Sequence, residues 1–239
     1  MNGLPFLPVV FAYNFPHKKT QDFLYRLVLL GAQPRLVLLA NPVKLNIPPT
    51  VLRTKPRHCD LVHPQAICER FDIPYEVVDH SGTRCVSLLT ELRPEFGIVA
   101  GARILPSRVV RCFSYGIVNF HPGLIPEVRG LDALQWAVHL GLPLGVTAHL
   151  IDHRVDAGRI VERRTIEEYA DDTLIDLSLR LHETQIQMLS STIEIIASRT
   201  PDTLPFVADG NYRRSFPAEL TASLPQKLAE RLARLRKAA

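Results

Sequence analysis

The chain has no apolar run approaching the roughly 18 residues that span a bilayer, no C-x-x-C pair, no internal repeat and no low-complexity tract. No transmembrane helix is therefore expected. The start, MNGLPFLPVV, has none of the basic residues that open a secretion signal, which points to a soluble, cytoplasmic protein with no membrane partner. Cys59, Cys68, Cys85 and Cys112 stand singly, so neither a zinc site nor a disulfide framework is signalled. Buried reduced thiols are the expectation, and no metal. One-sided charge is also missing, since 28 Lys and Arg face 24 Asp and Glu for a net +4. That excess fits a weak preference for anionic ligands and does not imply nucleic acid. What is present is 239 residues at 46% hydrophobic, enough for one compact domain or a domain with an appendage.

Short apolar runs rich in Val, Ile and Phe recur at 7–12, 35–40, 74–79, 96–100 and 116–120, each of strand length. Helical segments separate them. Thr20 to Leu30 gathers Phe23, Leu24, Leu27, Val28 and Leu30 on one broad face, with Thr20 read as N-cap and Gly31 as the residue that ends it. Residues 64–71, 86–92 and 107–112 supply the next crossovers. The alternation predicts an α/β fold with a doubly wound, mainly parallel sheet, whose ligand crevice lies beyond the carboxyl ends of the strands. Residues 144–151 and 159–165 read as antiparallel neighbours joined by the polar turn DHRVDAG, and 131–140 reads as a helix. A long helix is expected over 171–198, with Asp171 and Asp172 near its positive end. The domain reading is a main unit over 1–200 and a C-terminal loop and helix extension over 201–239. In that extension Leu224, Leu228, Leu232 and Leu235 form an apolar stripe under a basic face. The stripe suits docking on its own domain, a second subunit in a possible homodimer, or a membrane or acidic partner.

The stretch VNFHPG, residues 118–123, ends one of the apolar runs. Residues two apart on a strand point to the same side, so Asn119 and His121 present an amide and an imidazole to one small volume. Pro122 and Gly123 then end the strand at the crevice, where backbone can approach a ligand. Taken alone, N-x-H serves a turn or a satisfied buried contact equally well.

The surroundings carry more information. VAGARILP at 99–106 lies upstream; LIPEVRG at 124–130, Trp136 and VDAG at 155–158 follow. In this order the segments resemble the folate-dependent formyltransferases, a family that includes glycinamide ribonucleotide formyltransferase, methionyl-tRNA formyltransferase and the sugar-nucleotide N-formyltransferases. The resemblance is clear from about Glu95 to Glu162 and fainter through the preceding α/β half. It implies the Rossmann-like formyltransferase fold, a catalytic domain over 1–200, and N10-formyltetrahydrofolate as co-substrate. The pterin of that donor is expected between the loop of Arg103, Ile104 and Leu105 and the turn from Asp152 through Val155 to Asp156. Read as residues only, RILP is also ordinary strand-to-helix packing, and VDAG an ordinary turn.

The implied chemistry gives each residue type a task. An amine attacking a formyl group loses a proton while the formyl oxygen gains charge in a tetrahedral intermediate. The Asn119 amide and a protonated His121 can both donate to that oxygen, worth about 3 kcal/mol per well-placed donor. Asp156, matched to the family, would hold the imidazolium and help carry the proton away through water.

The acceptor is read from departures. FAYNFPHKKTQ stands where glycinamide ribonucleotide formyltransferases carry a Gly/Ser-rich phosphate turn, and the stretch after Thr165 falls short of the tRNA-binding domain of methionyl-tRNA formyltransferases. Formyltetrahydrofolate hydrolases carry an N-terminal regulatory domain not found here. Arg129, Gly130, Trp136 and the late NYRRSFP are similar to the sugar-nucleotide branch. That resemblance implies a nucleotide-linked amino-dideoxy sugar as acceptor, for a surface polysaccharide. Arg129, Gly130 and Trp136 are its expected contacts, with Glu183, beside His182, near the amine. His17, Lys18 and Lys19 are conceivable diphosphate contacts, or solvated surface ahead of a helix. Trp136 is equally a core residue and Glu183 a solvated one. Other acceptors stay open: a glycinamide ribonucleotide-like amine, methionyl-tRNA, or water, with release of formate. So does a non-catalytic folate-binding relative. Gly123 departs from the Ser usual after H-P in the family.

Overall fold

Each apolar run of the first half becomes a strand and each intervening segment a helix in the structure, a computed structural model that describes residues 7–44, 60–152, 158–207 and 210–238. In chain order they are β1 (Val9–Tyr13), α1 (Lys18–Leu29), β2 (Leu36–Ala40), α2 (Pro64–Arg70), β3 (Tyr75–Val77), α3 (Thr83–Leu92), β4 (Phe96–Val99), α4 (Ser107–Val110) and β5 (Gly116–His121). The second half holds β6 (Arg129–Gly130), α5 (Ala133–Leu140), β7 (Gly145–Leu150), β8 (Gly158–Thr165), α6 (Leu174–Ser198), β9 (Phe206–Val207), β10 (Tyr212–Arg213), α7 (Ala218–Thr221) and α8 (Leu224–Ala238).

Eight of the strands form one sheet in the order β3-β2-β1-β4-β5-β7-β8-β9. Its first five are parallel, and from β7 onward the pairing is antiparallel. This is the doubly wound, mainly parallel sheet that alternating strands and helices require. Helices cover both faces, so Val9, Val10 and Phe11 of β1 are all fully buried and the strand reads as continuous apolar sequence. One face packs Val10, Val118 and Phe120 with Phe23, Leu27, Leu177 and Leu181 from α1 and α6. The other packs Val9, Phe11 and Ile117 with Leu89 and Val109 from α3 and α4.

Two helix starts differ from the sequence reading. The N-cap of α1 is His17, whose ring accepts from the Thr20 backbone N–H at 3.3 Å, and Thr20 itself is buried inside the first turn. The ring's lone pair does the work usually given to a hydroxyl. Lys18 and Lys19 therefore lie within α1 rather than ahead of it. Lys18 pairs with Asp22 at 2.8 Å, and Lys19 Nζ donates to the Phe120 carbonyl at 2.9 Å. Gly31, at φ 68, does follow the helix as expected. The long helix begins at Leu174 behind a reciprocal Thr173 and Asp176 capping box, not at Asp171. Asp172 instead accepts from both terminal nitrogens of Arg180, at 2.8 and 2.9 Å, and that guanidinium holds its carboxyl below the usual carboxylate range.

The C-terminal stripe docks on its own chain. Leu224, Leu228 and Leu232 join the buried cluster built by α1, α5 and α6, and Arg231 is ion-paired with Glu168 while donating to Leu142 O at 2.7 Å. The Leu235 side chain lies outside the described residues. Cys68 and Cys85 are buried thiols, pushed up by desolvation to about 12 and about 11, whereas Cys112 is half-buried. Cys59 lies outside the described residues. Among the described residues, no helix is long and apolar enough to cross a membrane.

Candidate active site

β5 delivers its two polar side chains because its neighbours alternate. Val118 and Phe120 plug into the core under α1 and α6, which turns Asn119 and His121 to the opposite face with Ile117. Antiparallel pairing with β7 sets His149 directly across from Asn119 and Thr147 across from His121. The result is a square of four polar residues on one face of two adjacent strands. His121 is 3% exposed, Thr147 and His149 are fully buried, and Asn119 is half-buried.

Each corner is held. Asn119 Nδ2 lies 3.3 Å from His149 Nε2, and since an amide nitrogen only donates, Nε2 is the acceptor of this pair. The Thr147 hydroxyl donates to Gly123 O at 2.8 Å and accepts from Ile125 N at 3.0 Å, pinning the loop after β5. Arg163 of β8 donates to Ile125 O at 3.1 Å, and His121 Nε2 lies 3.0 Å from Val128 O. Thr147 and His149 were not singled out in the sequence. Alternation within GVTAHL puts them on one side of a strand, but only the register of β5 with β7 brings them to Asn119 and His121.

The residues expected around this square fall into four groups. The loop of Arg103, Ile104 and Leu105 leaves β4 beside it, because Val99 pairs with Asn119. Leu105 is 6% exposed and packs with Val109, whereas Ile104 is 78% exposed and Arg103 is exposed too. The loop is braced by Tyr13, whose hydroxyl donates to Ala102 O at 3.0 Å. Asp152, half-buried, stands at the neck of the following turn, opposite Gly158 at the start of β8. Val155 and Asp156 lie outside the described residues.

Arg129, Gly130 and Trp136 are bound up with the tail. β6 pairs in parallel with β10, so that Gly130, at φ 95, sits where a Cβ would meet Arg213 O at 2.0 Å. Glycine is required there both by conformation and by space. Arg129 is 7% exposed and donates to Gly210 O at 3.4 Å. The Trp136 indole donates to Arg214 O at 2.9 Å, packs edge-on to Phe216 with centroids 4.9 Å apart, and carries the Arg213 guanidinium over its ring at 5.2 Å. Together these three residues clasp the segment 210–216. Glu183 is exposed on α6, next to His182, whose Nε2 lies 2.7 Å from Asp22.

The departure at Gly123 has a steric reason. A Cβ there would stand 2.8 Å from His121 Nε2, so the imidazole occupies the space that a side chain would take.

The formyl transferase family model matches residues 63–193. A methionyl-tRNA formyltransferase of Chlorobium luteolum is 32% identical over 53% of this chain and 41% of its own length, so the chain spans less than half of that relative. Among solved structures, a sugar N-formyltransferase from Shewanella sp FDAARGOS_354 superposes with a TM-score of 0.60 at 18% identity, covering 87% of this chain and 76% of the other. A phosphoribosylglycinamide formyltransferase from Anaplasma phagocytophilum gives 0.62 at 20% identity, covering 87% and 99%. At such identities the two structures establish a shared fold.

Proposed function

From the premise that this chain belongs to the formyl transferase family, we propose that it moves a formyl group from N10-formyltetrahydrofolate to the amine of a nucleotide-linked amino-dideoxy sugar. The observation that carries the reading is the pairing of Asn119 and His121 on one face at the carboxyl end of β5, with Asn119 anchored by a buried His149. In this reading Asn119 donates its second amide hydrogen to the formyl oxygen as charge grows on it. His121, held by Asp156, donates beside it and takes part in moving the amine's proton.

The donor's flat ring finds a suitable wall in Ile104, an apolar side chain left 78% exposed on a braced loop beside Asn119. Arg103 and Leu105 flank it, and Asp152 and Val155 belong to the facing turn. The bound donor supplies an activated formyl carbon. The chain supplies orientation, hydrogen-bond donors and a proton path.

The sugar acceptor rests on Arg129, Gly130, Trp136 and the NYRRSFP tail, with Glu183 proposed near the amine. Methionyl-tRNA is the second reading, favoured by the sequence relative. Incubation with formyltetrahydrofolate and a panel of amino-sugar nucleotides, glycinamide ribonucleotide and methionyl-tRNA distinguishes them, followed as formyl mass gain and release of tetrahydrofolate. Formylation of an amino-sugar nucleotide alone is expected. Transfer to methionyl-tRNA alone selects the second reading, and folate binding without transfer to any amine overturns both.

A further inference from the structure

His121 donates to a carbonyl in an unusual place for a group expected to act on a substrate. Its Nε2 lies 3.0 Å from Val128 O, and a carbonyl oxygen can only accept, so Nε2 carries a hydrogen in this pose. Nδ1 is then the nitrogen whose protonation separates the neutral ring from the imidazolium. The ring reaches Val128 only because residue 123 has no side chain. A Cβ on Gly123 would lie 2.8 Å from Nε2, 3.0 Å from Val128 O and 3.0 Å from Ala133 Cβ. The conformation of Gly123 is not the reason, since its φ is not in the left-handed region.

Nor can the backbone give way. Gly123 O accepts from the buried Thr147 hydroxyl at 2.8 Å, and the same hydroxyl accepts from Ile125 N at 3.0 Å. Val128 N donates to Leu124 O at 2.8 Å, closing the loop on itself, and Ala133 opens α5 in the packed core. A side chain at 123 would therefore displace the imidazole, whose rotation about its own bonds is the softest adjustment available.

We infer that Gly123 is a positioning residue for His121: its missing side chain lets the ring give Nε2–H to the Val128 carbonyl, which fixes Nδ1 as the nitrogen that changes protonation during transfer. The catalytic half of this inference rests on the proposed function; the tautomer half stands apart from it.

Nitrogen-15 NMR of histidine-labelled protein, above the pH at which His121 titrates, reads the tautomer directly. The His121 signals are assigned by their loss in His121→Gln. The full chain is expected to show a single tautomer protonated at Nε2. Gly123→Ala and Gly123→Ser are expected to lose that signature, with kcat lowered about 10-fold or more and KM for the donor changed less than about 2-fold. A wild-type His121 protonated at Nδ1 overturns the inference, whether or not the variants fold. So does a Gly123→Ala protein that keeps both the signature and its rate. If no amine is formylated by the wild type, the proposed function fails and the NMR arm still decides the tautomer.

Discussion

His149 lies buried against the Asn119 amide and helps set which way that amide faces. A carboxamide held on one hydrogen keeps the other aimed, and a weakened hold costs part of the alignment that gives a donor its value. His149→Ala is therefore expected to lower turnover about 10-fold to 100-fold. His149→Gln, whose side-chain oxygen can accept the same hydrogen bond, should recover part of that loss, measured as kcat at saturating donor. Equal rates for the two variants would remove the anchoring role. The sequence reveals Asn119 and His121 because period-two spacing on one strand needs no knowledge of neighbours. It hides His149, because that contact comes from strand pairing across a sheet, where the register of β5 with β7 is set by the whole core.

At the scale of elements, two small devices fix the periphery. Gly130 combines φ 95 with a position where an added Cβ would collide with Arg213 O, so Gly130→Ala both strains the backbone and drives β10 away from β6. The expected cost is about 2 kcal/mol or more in urea unfolding, larger than a surface Gly→Ala change elsewhere. The second device is the Asp172–Arg180 pair ahead of α6. The folded carboxyl is depressed by Arg180, so its contribution to stability is complete above the ordinary value of 3.8 and fades as pH falls through the lower folded value. Asp172→Asn should consequently be less stable than the parent at neutral pH, with the gap closing in acid, measured as urea midpoints across that range. A gap unchanged by pH would mean that the pair contributes through shape alone. These devices also mark the limit of sequence reading. Asp172, expected to serve the helix dipole, gives its charge to Arg180, and the RG pair, expected to meet a ligand, also pairs with the tail. In each case a partner 8 or about 80 residues away adds a contact that local spacing does not reveal.

For the whole molecule, the parallel sheet and its covering helices follow from apolar runs that leave few alternatives, since a strand buried on both faces needs helices on both sides. The tail was less legible. An amphipathic stripe states that a face is covered but not by what. The structure covers it with α5, and Leu228, 8% exposed, belongs to the same buried cluster as Phe23 and Val118. Leu228→Ala is expected to cost about 2 to 4 kcal/mol while leaving one cooperative unfolding transition. A separate early transition for the tail would show instead that residues 201–239 fold as a unit of their own.

The central claim is that Asn119 and His121 act together on a transferring formyl group. Single-turnover formyl transfer from formyltetrahydrofolate to the accepted amine, compared among wild type, Asn119→Ala and His121→Ala at matched thermal stability, tests it most directly. Each substitution should slow transfer by at least about 100-fold, with donor binding retained. Near-normal rates in both variants would contradict the account.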